Sequence, residues 1–125
     1  MLTLNSAVAW WARNRRDVVA LSLGGDTVTY GEWAGWIERA AGWLVAQGVE
    51  PGDRVNACGA NSLEYCTLAF ATMRAGAIIA PLNARFTAHE LGEIVEDHAP
   101  RLIVADADQA AKFAGNGVPV QPMAR

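Results

Sequence analysis

Apolar and polar positions follow two different periods along this chain, and the places where the period changes mark its elements. Val18 to Leu23 and Thr27 to Tyr30 are short runs rich in apolar and β-branched residues, with Gly24, Gly25 and Asp26 between them. This arrangement predicts an antiparallel hairpin, because Gly and Asp tolerate the positive φ of a tight turn. After Thr29 the period becomes helical. Trp33, Trp36, Ile37, Ala40, Ala41 and Leu44 recur at i, i+3, i+4 and i+7, the stripe of a helix packed on a sheet, and Gly48 can end it in a left-handed turn. A second stripe contains Cys66, Ala69, Phe70 and Met73 and stops at Gly76. A third contains Leu91, Ile94, Val95 and His98 and stops at Pro100. Short apolar runs separate these helices: Arg54 to Cys58, Ala77 to Leu82, Arg101 to Ala105 and Val118 to Gln121. A weak helix is expected from Ala107 to Ala114.

Cap chemistry supports the helix starts. Asn5 and Ser6 can cap a helix from Ala7 to Asn14. Thr29 precedes Glu32 by three residues, Asn61 precedes Glu64, and Thr87 precedes Glu90. In each pair the first side chain can accept from an orphan amide, and the Glu can reach back to the amide of the cap. Short strands alternating with amphipathic helices predict an α/β fold. Its sheet should be open and mainly parallel, with right-handed crossovers, flanking helices and the antiparallel hairpin at one side. No linker or repeat divides the 125 residues, so they read as one domain or part of one.

Composition narrows the function classes. The chain is 52% hydrophobic and 18% charged, which favours a folded core over disorder. A net charge of −3 gives no electrostatic case for nucleic acid. Arg13, Arg15 and Arg16 form the only basic cluster and read as a solvated helix end. Cys58 and Cys66 fit no zinc or redox spacing, so two reduced, buried thiols in a cytoplasmic protein are expected. Leu63 to Leu82 is largely apolar but contains Glu64, Arg74 and Gly76, which argues against a membrane span.

Several chemistries are excluded by what is missing. The turn Gly59-Ala60-Asn61 is no GxGxxG fingerprint, no Lys-hydroxyl pair follows a glycine loop, and there is no GxSxG elbow. A phospho-acceptor receiver domain needs clustered carboxylates at strand ends to hold a divalent ion, and only Asp106 stands near one. His98 falls on an apolar face and reads as a hydrogen-bonded core histidine. His89 falls at a helix start and reads as solvated. Trp33 and Trp36 read as core packing. No residue presents itself as a catalytic group or metal ligand.

Thr29 to Trp33, Gly48 to Val55, and Arg74 to Ala77 with Pro81 to Arg85 together resemble the AMP-forming, adenylate-forming synthetases. Thr29-Tyr30-Gly31-Glu32-Trp33 resembles the family's Thr-Tyr-x-Glu-Leu signature, with Trp33 in place of Leu. Gly48-Val49-Glu50-Pro51-Gly52-Asp53-Arg54-Val55 resembles the turn leading into the next strand. Arg74-Ala75-Gly76-Ala77, followed by Pro81-Leu82-Asn83-Ala84-Arg85, resembles the second signature. Asn61, Glu64 and Phe70 fall where the family has an Asn, a Glu and an aromatic, and the pattern continues through Glu90-Leu91 to Asp106. The Pro-Leu-Asn-Ala-Arg ending is closer to acyl-CoA synthetases than to peptide-synthetase adenylation domains.

The resemblance implies that residues 1–125 are the N-terminal part of a large adenylating domain. The parent enzyme would activate a carboxylic acid, expected to be a fatty acid, with ATP and Mg2+ and pass the acyl group to coenzyme A. The family's phosphate loop, adenine segment, ribose contact and catalytic Lys have no counterpart here, so this chain alone is expected to be inactive and to bind no cofactor. Asn83 and Arg85 end a strand and are the candidates for touching substrate or coenzyme A. A non-catalytic binding or scaffolding module is the competing reading. A homo-oligomer is expected, formed through a bare strand edge at Arg101 to Ala105 or Val118 to Gln121, or through a patch drawn from Trp10, Trp11, Trp43 and Phe86.

Overall fold

A computed structural model describes residues 3–124. Helix α1 (Leu4–Asn14) is followed by the hairpin β1 (Val19–Leu23) and β2 (Asp26–Thr29), then α2 (Tyr30–Ala46). The main sheet comprises β3 (Arg54–Cys58), β4 (Ile78–Leu82), β5 (Leu102–Ala105) and β6 (Val120–Pro122). Helix α3 (Leu63–Arg74) joins β3 to β4 and α4 (Ala88–His98) joins β4 to β5. A short helix α5 (Ala107–Ala110) and a 3-10 turn (Ala111–Phe113) precede β6. The strand order is β4-β3-β5-β6, and all pairings are parallel.

Both faces of the sheet are covered. On one, Val55 and Ala57 of β3 and Leu102 and Val104 of β5 pack with Trp33, Ile37, Ala41 and Leu44 of α2, Leu68 and Ala71 of α3, and Val28 of β2. On the other, Cys58, Ile103 and Ala105 pack with Leu91 and Val95 of α4 and with Phe113. This explains why β3 and β5 read as continuous apolar runs without alternation. The α/β architecture, parallel sheet, hairpin and helices match the expectations from the sequence.

The local differences have physical causes. The hairpin turn has two central residues: Leu23 pairs with Asp26, while Gly24 and Gly25 take φ of 55° and 86°. Asp26 therefore belongs to the strand. Helix α1 begins at Leu4, because Thr3 caps it by accepting from the Ser6 amide at 3.0 Å. Asn5 instead donates to the Phe70 carbonyl at 3.1 Å, tying α1 to α3. Ser62, not Asn61, caps α3 by accepting from the Tyr65 amide.

The buried stripe of α3 is Leu63, Thr67, Leu68, Ala71 and Thr72, rotated from the one expected. Thr67 and Thr72 enter the core because their hydroxyls donate back to the Leu63 and Leu68 carbonyls at 2.7 Å. Thr67 also accepts from the Trp33 indole at 2.9 Å. Cys66 and Met73 are consequently exposed, so of the two thiols expected to be buried only Cys58 is. Strand β5 lies inside the sheet, so Arg101 to Ala105 is not an edge; the edges are β4 and β6. Trp10 and Trp11 are exposed, whereas Trp43 and Phe86 are half-buried against the two cores.

The capping boxes of Thr29 with Glu32 and Thr87 with Glu90 are both formed. The Glu90 amide donates to Thr87 Oγ1 at 3.2 Å, and the Thr87 amide donates to Glu90 Oε1 at 3.0 Å. Bonds from the Thr87 amide and then its hydroxyl hold the Glu90 carboxyl below its ordinary 4.5, as bonds from the Thr29 hydroxyl and then its amide do for Glu32. Thr87→Ala should destabilise the fold by about 1 kcal/mol, read from the denaturant midpoint. A carboxyl depressed in the folded state adds stability above its unfolded pKa and loses it as pH falls through the folded value. The backbone donor survives the substitution, so only the part of the difference carried by the Thr87 hydroxyl should shrink below the ordinary value of 4.5. A midpoint unchanged at neutral pH would mean that Thr87 does not cap α4.

Candidate functional site at the carboxyl edge of the sheet

The chain leaves β3 through α3, packed on one face of the sheet, toward β4, and leaves β5 through α5 and the 3-10 turn, whose Phe113 packs on the other face, toward β6. The carboxyl ends of β3 and β5 thus form a topological switch point, where open α/β sheets place their ligands. Cys58 and Ala105 are partners at the last step of the register, so the next residues, Gly59 and Asp106, lie side by side.

That crevice is filled from within. The Asp106 carboxylate accepts from the Ala60 amide at 2.9 Å, and the Asp106 amide donates to the Cys58 carbonyl at 3.0 Å. A Cβ on Gly59 would stand 2.5 Å from Asp106 Oδ2, so only glycine permits this approach. Tyr65 donates to the Ala57 carbonyl at 3.3 Å, and the Cys58 thiol faces Gln109 Oε1 at 3.9 Å. Burial raises the Cys58 thiol; Lys112 pulls it down, while Asp106 and Asp108 push it up. Burial likewise raises the Tyr65 phenol, with contributions from Cys58 and Asp106. A buried thiol whose charged form is disfavoured is a poor nucleophile.

Asn83 and Arg85 lie in the loop after the edge strand β4, and both are exposed. Asn83 Oδ1 accepts from the Arg85 amide at 2.9 Å, and the Asn83 carbonyl accepts from the Phe86 amide at 3.1 Å. Beside this loop opens a cavity of about 520 Å³, lined by residues including Asn83, Phe86, Glu93, Asp97 and His98. Asn83 and Arg85 are not brought together with Asp106; a third residue links the regions. Lys112 Nζ donates to the Ala84 and Phe86 carbonyls at 2.8 and 3.0 Å. In the sequence Asp106 stands as a lone carboxylate at the end of the family pattern, and Lys112 carries no motif. The available signal was a Gly after one strand and an Asp after its parallel neighbour, legible once their register is known.

The other signature residues build scaffold. Tyr30 stacks on Trp11 at 5.3 Å. Gly48 and Gly52 take φ of 88° and 87°, and the Arg101 guanidinium lies against Gly48. The Gly52 amide donates to the Gly76 carbonyl at 2.9 Å, Pro51 packs on Gly76, and Asp53 accepts from the Glu50 amide at 2.8 Å. Pro81 sits on edge strand β4, where a missing amide is tolerated. Leu91 is fully buried. Arg74 pairs with Glu38. Arg54 donates to the His98 carbonyl at 3.0 Å, and Asn56 Nδ2 bridges the Ala80 carbonyl and His98 Nδ1 at 3.0 and 2.9 Å. His98 therefore ties α4 to β3, while His89 is exposed and pairs with Glu93 at 3.2 Å.

This chain belongs to the AMP-binding enzyme family, whose model matches residues 8–122. It is 35% identical over 103 residues to a feruloyl-CoA synthase from Amycolatopsis sp, covering 82% of this chain and 21% of that protein. It is 33% identical over 101 residues to the fatty acid–[acyl-carrier-protein] ligase ScoC from Streptomyces coeruleorubidus, covering 81% of this chain and 20% of the ligase. Among solved structures, ATP-bound MatB from Rhodopseudomonas palustris superposes with a TM-score of 0.79 at 34% identity, covering 92% of this chain and 25% of that one. The chain spans about a fifth of the length of these two curated relatives.

The described residues do not fit an ATP phosphate at the switch point, because the Asp106 carboxylate already takes the Ala60 amide. Among them no group of three or more His, Cys, Asp or Glu side chains could hold a metal ion, and no helix is long and apolar enough to cross a membrane. Gly59→Ala should cost about 1–3 kcal/mol by overpacking. In an Asp106→Ala background most of that cost should vanish, since the clashing carboxylate is gone. Additive losses of melting stability in the double variant would show that the Gly59–Asp106 approach is not the constraint.

Proposed function

We propose that this chain is the N-terminal part of the large adenylating domain of an acid–CoA ligase. The parent enzyme activates a carboxylic acid, a fatty acid in the first instance, to the acyl-adenylate and passes the acyl group to coenzyme A in the cytoplasm. ATP with Mg2+ supplies the adenylyl group, held by residues outside this chain. The observation that carries this reading is a family match along nearly the whole chain, combined with a span of only about a fifth of the relatives. The names of those relatives support a ligase of carboxylic acids and leave the acyl group open between aryl and fatty acids. Within the chain, Asn83 and Arg85 are proposed to touch substrate or coenzyme A, because both are exposed beyond a strand end beside an open cavity.

Carboxylate-dependent exchange of labelled pyrophosphate into ATP tests the assignment. The purified chain should stay at background, since phosphate cradling needs dedicated amides and a cation. A polypeptide extended by its downstream coding sequence to the length of the relatives should exchange. Exchange by the chain alone, or none by the extended polypeptide with any aryl or fatty acid tried, would overturn the proposal.

The isolated chain is also proposed to self-associate. Strand β6 is a sheet edge, and beside it lies a groove of about 470 Å³ lined by Trp36, Trp43, Leu68 and Met123 among others. Trp10 and Trp11 add exposed aromatic surface. Edges and apolar surfaces of this kind promote pairing between copies. Light scattering after size exclusion should show species heavier than the 13.3 kDa chain as concentration rises. A monodisperse monomer at high concentration would favour a self-sufficient module instead.

A further inference from the structure

Lys112 is the only lysine of the chain, and its ammonium does not point to open solvent. It is half-buried and crosses to the loop after β4, donating to the carbonyls of Ala84 and Phe86. The backbone behind it is fixed. Phe113, the next residue, is 2% exposed and lies in the core with Leu91, Val95 and Ile103. The loop in front is otherwise held by short-range bonds, Arg85 amide to Asn83 Oδ1 and Phe86 amide to Asn83 carbonyl, and by partial packing of Ala84 and Phe86 on the second core. The bonds set the shape of the turn, and the non-directional packing leaves its backbone position to a polar tie. Two charge-assisted bonds from a rigidly anchored cation do set that position, and bonds of this kind are roughly twice as strong as neutral ones.

The loop carries Asn83 and Arg85, and Asn83 and Phe86 line the cavity beside it. The ammonium also draws the Cys58 thiol down, in keeping with a place near the carboxyl end of β3. We infer that Lys112 is a positioning residue: it fixes where Asn83 and Arg85 stand at the ligand-facing edge of the sheet, acting through the carbonyls of Ala84 and Phe86. This rests on the role proposed above for Asn83 and Arg85. Arginine at this position could still reach two carbonyls, whereas methionine keeps the apolar stem and removes only the charge and the donors.

Amide hydrogen exchange on the nitrogen-15-labelled chain tests the clamp. In Lys112→Met, exchange at the Arg85 and Phe86 amides should rise about tenfold, with the Leu91 and Ile103 amides unchanged. Lys112→Arg should restore protection. Unchanged exchange at Arg85 and Phe86, or equal acceleration everywhere, overturns the clamp. In the extended ligase, with an acid that supports pyrophosphate exchange, Lys112→Met should raise KM for coenzyme A or for that acid about fivefold with a smaller change in kcat, and Lys112→Arg should reverse it. A loosened loop with both KM values unchanged overturns the positioning role. If no acid supports exchange, the ligase reading fails on its own, and the amide measurement still decides the clamp.

Discussion

Strand β3 is the constraint on which the rest of the structure depends. Val55, Asn56, Ala57 and Cys58 are all fully buried, because β4 and β5 pair with its two edges and helices cover its two faces. A strand enclosed on four sides can contain a polar side chain only if that side chain finds partners. The Asn56 amide nitrogen does so by donating to Ala80 of one neighbouring strand and to His98 of the helix above, while Asn56 Oδ1 is buried without a partner among the described residues. Arg54, at the start of the same strand, holds the end of that helix through the His98 carbonyl. One strand thereby fixes β4, β5 and α4 together.

The carboxyl end of β3 carries the functional consequence. Gly59 leaves room for the Asp106 carboxylate, and that carboxylate takes the amide an incoming anion would otherwise use. The switch point of this sheet is closed by its own chain. What remains open on this side is the loop beyond edge strand β4, with a cavity beside it and a lysine behind it. The chain therefore divides into a locked centre and a presented rim. This is the arrangement expected of a part that positions groups for chemistry supplied elsewhere in a larger enzyme.

Much of the fold was legible because local and global preferences agree. The stripe Trp33, Ile37, Ala41 and Leu44 is buried as its spacing required, and two of the three expected capping boxes form at the expected residues. Apart from Asn83 and Arg85, the signature residues described above form turns, caps and packing contacts, and their acids Glu32, Asp53 and Glu90 bond backbone amides. The stripe of α3 departed from its spacing because a polar side chain was satisfied by its own helix. Thr67 and Thr72 look like surface residues in the sequence and are core residues once their hydroxyls bond the preceding turn. That exchange turned α3 and moved Cys66 and Met73 to solvent.

By itself the sequence determined the element types, their order, the parallel sheet and the family, since periodicity, turn residues and motif order are local properties of the chain. Tertiary structure alone decided which strand became an edge, because the place of β5 between β3 and β6 depends on pairings across distant residues. It also decided that Gly59 meets Asp106 and that Lys112 meets the Ala84 and Phe86 carbonyls. These contacts join residues 26 to 47 positions apart. No local pattern encodes such a meeting; it follows from register and from which face of the sheet each crossover takes.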